Sequence, residues 1–194
     1  MKKLMTIVFV ACYSLVNAQD YKKEIEADFT AYINSIVNFD FEQSVEYIVP
    51  EVFEIVPKAQ MISVMEQSFN NPSLEIKIKN PEILKIEDHL KIQEKYYALL
   101  TYSNQMDMKV KSEQSQTEDE TINMVSIIKL SLDNTFGAAN VKYNDDTGFF
   151  EIQSEKDVYC ISDNGITNWK FLVVEKNQKA ILEKILPQEL IGNL

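Results

Sequence analysis

Side chains able to do chemistry are few in this chain and lie far apart. There is one histidine, His89, so neither a histidine-rich metal site nor more than one Asp–His dyad is available. His89 follows Asp88 between two strand-like runs, and the pair reads as a solvated turn. Of two cysteines, Cys12 falls in an apolar leader. Cys160 stands between Tyr159 and Ile161, where a thiol is expected to serve as a small buried apolar group and not as a nucleophile. Asn144-Asp145-Asp146-Thr147-Gly148 crowds oxygen ligands, but its spacing is not that of a calcium loop with its closing glutamate. A hairpin turn accounts for the same residues, with Gly148 supplying positive φ. Asp163-Asn164-Gly165 reads the same way. Met61, Met65, Met106 and Met108 recur at the spacing of the elements that hold them, which is core packing before it is an adaptable pocket. Asp28 and Tyr32, four apart, share a helix face. Gly-rich phosphate loops and nucleophile elbows do not occur.

These residues are positioned by a helical first part and a strand-rich second part. Ile25, Phe29, Tyr32, Ile33, Ile36 and Val37 form one stripe of a helix that Asp20 is placed to cap. A second helix is expected from Asp40 through Phe41, Val45, Ile48 and Val49, stopped by Pro50. A third opens at Pro57 with Met61, Val64, Met65 and Phe69 as its apolar stripe. The period then changes to two. Leu74, Ile76 and Ile78 alternate with polar residues, Asn80-Pro81 predicts a bulge, and a long strand is expected from Ile92. Its even positions, including Tyr96, Ala98, Leu100, Tyr102, Asn104, Met106 and Met108, must share one face. Its odd positions, including Gln93, Lys95, Tyr97, Thr101, Gln105, Asp107 and Lys109, predict a mostly polar opposite face. Thr117 and Glu120 suit a capping box for a helix ending at Gly137, with Val125, Ile128, Leu132 and Phe136 inward. Two hairpins follow, Val141–Tyr143 with Phe149–Ile152 and Val158–Ile161 with Trp169–Val174. Asn177 suits the cap of a last helix that Pro187 bends or ends.

The front end and the charge bound the setting. Lys2 and Lys3, the apolar run Leu4–Val16, and Val16-Asn17-Ala18 follow the order of a bacterial signal peptide. Residues 1–18 are therefore expected to be removed, leaving 19–194 as one exported domain, periplasmic or secreted, with no membrane insertion after cleavage. Lipidation at Cys12 is the alternative, and Phe9 suits it poorly. The chain carries a net charge of −11, and all 19 of its basic residues are lysine. Without the guanidinium fork and with this sign, nucleic acid is not an expected partner.

Helices followed by a curved antiparallel sheet make an α+β arrangement. With Pro50–Lys58, Phe136-Gly137 to Ile152 and Asn168-Trp169-Lys170-Phe171-Leu172, this outline resembles the cone-shaped roll of the nuclear transport factor 2-like superfamily. It also resembles uncharacterised exported bacterial proteins of this shape. The helix after Thr117 departs from the minimal roll as an insertion, and a C-terminal helix closes the chain. The resemblance implies a pocket between the sheet and the first helix. Its candidate lining is Asp28, Tyr32, Tyr96, Tyr102 and Asn104. No catalytic residue, metal ligand or cofactor is assigned. Two functions fit: a non-catalytic module that binds a small apolar ligand or an envelope protein, with a homodimer through the sheet as one option, or a cofactor-free lyase or isomerase with Asp28 as base.

Overall fold

A computed structural model describes residues 2–111, 118–175 and 178–192, with side chains from residue 20 onward except those of 118–120. The expected Thr117–Glu120 capping box and the Asn177 cap depend on side chains outside the described residues. The fold is α+β, with helices packed on a curved, unclosed antiparallel sheet of six strands.

The first helix, α1 (Lys2–Val37), runs through Asp20 without a break, so Asp20 is an exposed residue within the helix and not its cap. The predicted stripe holds: Ile25, Phe29, Tyr32 and Ile33 are buried, joined by Tyr21. Asp40 does cap α2 (Phe41–Val45), its carboxylate accepting the Gln43 N–H at 3.1 Å. That helix stops four residues earlier than expected, and Pro50 opens a 3-10 turn (Pro50–Glu54) instead of closing a helix. The reason is tertiary. Residues 47–49 hydrogen-bond to Phe171 at the sheet edge, where extended backbone is required. No residue of the α3 (Lys58–Phe69) stripe is fully buried and Val64 is 56% exposed, although Met61 packs on a core cluster. The helix docks through Phe69, whose ring lies 5.3 Å from those of Phe39 and Phe41.

The sheet order is β1 (Leu74–Ile86), β3 (Lys95–Val110), β5 (Phe149–Ser162), β4 (Val141–Asn144). Two short strands, β2 (Leu90–Ile92) on β3 and β6 (Lys170–Val173) on β5, complete it. Gln93, at φ 53°, turns the chain between β2 and β3, so the long strand begins at Lys95 and not at Ile92. The two predicted segments Phe149–Ile152 and Val158–Ile161 are one strand, β5, paired with β3 without a register shift from Tyr96↔Ser162 to Met108↔Phe150. β1 does bulge at Asn80-Pro81: Lys79 pairs with Gln105 and Glu82 with Ser103, so two residues face Asn104 alone.

Parity holds along β3 and β5, and it sorts three clusters. On one face, Ala98, Leu100, Val158, Cys160, Trp169 and Phe171 pack against α1. On the same face further along, Phe150 and Ile152 with Met106 and Met108 receive α4 (Glu118–Phe136) through Val125, Ile128, Leu132 and Phe136. Gly137, at φ 88°, ends that helix as expected. The opposite face is polar along β3 from Thr101 onward, but its other end is apolar. Tyr97, Tyr159, Ile161 and Leu172 are covered there by α5 (Lys179–Ile185) and α6 (Gln188–Ile191), which Pro187 separates. Among the described residues, no helix is long and apolar enough to cross a membrane.

Candidate functional site

Of the five candidate residues, Tyr32 and Tyr102 are neighbours that both pack on Phe29, whereas Asp28, Tyr96 and Asn104 have other partners. On α1, Asp28 turns toward the chain entering β6, and its Oδ2 accepts the backbone N–H of Trp169 at 3.0 Å. Asn168 just before it has φ 58°, so the carboxylate fixes a bent approach to the strand. Tyr32 is buried one turn away. Its ring stacks on Phe171 at 5.6 Å and lies 5.9 Å from Phe29. Burial, and then the neighbouring Tyr102, hold the Tyr32 phenol well above its usual range.

Tyr102 meets the edge of Phe29 at 5.0 Å, and burial, followed by the negative charge of Glu175, pushes its phenol up to about 12. Glu175 is itself paired with Lys156 at 2.7 Å. Asn104 is half-buried in the gap between the α1 cluster and the α4 cluster, opposite Ser154. Tyr96 lies toward Tyr21, with His89 in contact with both, and a Cβ on Gly165 would stand 2.6 Å from its ring. Aromatic contacts among Phe29, Tyr32, Tyr102 and Phe171 run through this interface.

His89 is a correction to the solvated-turn reading. Its ring stacks on Tyr21 at 4.1 Å and 10°, and lies 5.2 Å from Tyr96 on the way to Trp169. The Tyr21 hydroxyl accepts the His89 N–H and donates to Asp88, both at 3.4 Å, and Lys22 pairs with Asp88 at 2.7 Å. Tyr21 is far from His89 in sequence, so neither pattern nor turn chemistry could show the stack. Cys160 is fully buried as expected, and desolvation raises its pKa.

A cleft of about 350 Å³ opens instead beside the bulge. Phe29 and Ile33 from α1 and Pro81 and Ile83 from β1 supply its apolar surface. Glu26, Thr30, Asn34 and Glu82 line it with polar groups. None of the five candidate residues lines this cleft. The bulge is what opens it. Asn80, at φ 50°, and Pro81 interrupt the pairing with β3 where β1 lies beside α1. The sequence signal existed, in Asn80-Pro81 facing a helix with apolar residues at 29 and 33, but its outcome depends on which strand crosses α1.

No family model, curated protein or solved structure matches the chain.

Proposed function

We propose that the protein is an exported, non-catalytic module that binds a small apolar, uncharged ligand in the cleft between α1 and the β1 bulge. The carrying observation is that cleft, with an apolar wall of Phe29, Ile33, Pro81 and Ile83 beneath acidic groups. Its volume is at the lower end of the roughly 300–1,000 Å³ typical of small-molecule sites. Glu26 and Glu82 disfavour an anionic ligand such as a fatty acid. Export rests on the opening Lys2-Lys3, Leu4–Val16 and Val16-Asn17-Ala18. The nuclear transport factor 2-like reading rests on the order of helices and curved antiparallel sheet.

The lyase or isomerase reading lacks comparable support. It needs an acid and a base facing one substrate. Asp28 is occupied by the Trp169 N–H, and the Tyr32 and Tyr102 phenols are held protonated far above neutral pH.

The test uses the neutral dye N-phenylnaphthylamine. The protein is expected to enhance its fluorescence saturably. Thr30→Trp fills the cleft from an exposed helix position, and it should abolish the enhancement while leaving the thermal melt unchanged. Unchanged dye binding by a folded Thr30→Trp variant would remove the cleft from consideration. Mass spectrometry of the organic extract then identifies the natural occupant.

A further inference from the structure

The face of the sheet away from α1 carries a second, chemically different pocket. It has a volume of about 170 Å³ and lies between β2, the sheet and α6. Tyr97 and Leu99 of β3 and Tyr159 of β5 form its floor, and Leu90 and Leu190 its sides. Three carboxylates, Glu87, Asp88 and Asp157, also line it. Such a combination of aromatic surface and anionic groups suits an organic cation, because both the ring quadrupole and the carboxylates favour positive charge.

The three carboxylates differ in their partners. Lys85 donates to Glu87 at 2.6 Å and Lys22 reaches Asp88 at 2.7 Å. Asp157 makes no direct ion pair among the described residues, and its charge acts on the Lys85 ammonium only at longer range. It accepts a hydrogen bond from the Thr101 hydroxyl at 2.7 Å through Oδ1. The Tyr159 hydroxyl donates to the Leu190 carbonyl at 3.3 Å, which leaves the ring and not the hydroxyl as its contribution to the pocket. The local field has the matching sign: burial first, then Asp157 and Glu87, raise the Tyr159 pKa. At Tyr97, burial is again the largest cause; Lys95 opposes it, and Glu51, Asp163 and Glu189 add to it. Lys95 is itself engaged by Glu51. The volume falls below the roughly 300 Å³ at which drug-sized sites begin, which limits the occupant to a short chain.

We propose that this pocket binds a small aliphatic ammonium ion, its chain against Tyr97, Leu99 and Tyr159 and its charge beside Asp157. The site is separate from the cleft on the other face and does not depend on it.

Hexylammonium is the probe, with hexanol and hexanoate as controls of equal chain length. The full-length protein is titrated at low ionic strength, followed by calorimetry and by proton–nitrogen correlation spectra. Hexylammonium is expected to bind saturably and to shift the amides of Tyr97 and Tyr159. Hexanol should bind about tenfold more weakly, and hexanoate not at all. Asp157→Asn keeps an acceptor for Thr101 and should weaken hexylammonium about tenfold without affecting hexanol. Thr30→Trp, which fills the other cleft, should leave hexylammonium binding unchanged, so the two sites stand or fall separately. Equal affinity for hexanol and hexylammonium, no binding of hexylammonium, or undiminished binding by a folded Asp157→Asn variant would overturn the proposal.

Discussion

Asp28 shows how a residue that could do chemistry is committed to structure. Its carboxylate satisfies the Trp169 N–H where the chain bends into β6, and Trp169 is fully buried. Asp28→Ala leaves that donor without its partner and is expected to cost about 1–3 kcal/mol in chemical denaturation. Asp28→Asn, which retains an acceptor oxygen, should recover most of the loss. Equal destabilisation by both variants would show that charge, and not the hydrogen bond, is what matters. The two buried phenols give a pH signature. A tyrosine whose folded pKa is raised contributes stability that is complete below its unfolded value of about 10 and is lost as pH climbs through the folded value. For Tyr102 the window runs from about 10 to about 12. Tyr32 extends it upward. Absorbance titration at alkaline pH should show a late fraction of phenols whose ionisation coincides with unfolding. Ionisation of every tyrosine near pH 10 in the folded protein would contradict the packing of Phe29, Tyr32 and Tyr102.

Among the elements, turns were legible in sequence and the use of helix faces was not. Asn80-Pro81, Gly137, Gly148 and Gly165 mark breaks because their backbone requirements are local. Gly165 carries a second constraint. At φ 71°, a side chain is strained, and a Cβ would also press against the Tyr96 ring at 2.6 Å. Gly165→Ala should therefore lower the melting temperature more than Gly148→Ala, whose Cβ would meet only the flexible Lys109 side chain at 3.2 Å. Comparable melts for the two variants would mean that Tyr96 does not pack beneath the turn. By contrast, the stripe of α3 has the same periodicity as that of α1 yet buries nothing fully, since periodicity reports that a face is apolar and not whether a partner covers it.

At the scale of the whole molecule, the sheet is covered on both faces by parts of the chain that are far apart in sequence. α1 and α4 share one face, and α5 and α6 cover part of the other. Truncation after Val174 would expose Tyr97, Tyr159, Ile161 and Leu172 together. That chain is expected to bind hydrophobic dyes and to aggregate at concentrations where the intact protein remains monodisperse. A soluble truncated chain with an unchanged circular dichroism spectrum would reduce the C-terminal helices to an ornament of the fold. Export makes a separate prediction at this scale. N-terminal sequencing of protein recovered outside the cytoplasm should begin at Gln19, and an acylated Cys12 terminus would refute it.

The α+β class, the helices ahead of the sheet, the parity of β3 and the inward direction of Trp169, Phe171 and Cys160 followed from sequence alone. Each depends on periodicity or turn chemistry within a few residues of chain. The tertiary structure decided what those faces meet. It stacked His89 between Tyr21 and Tyr96, converted Asp28 from a candidate base into a strand anchor, and covered Tyr97 with the C-terminal helices. It also opened the clefts beside Pro81 and over Tyr159. The physical reason is that a side chain's partner across the fold is set by which elements cross and in what register, and local pattern carries neither.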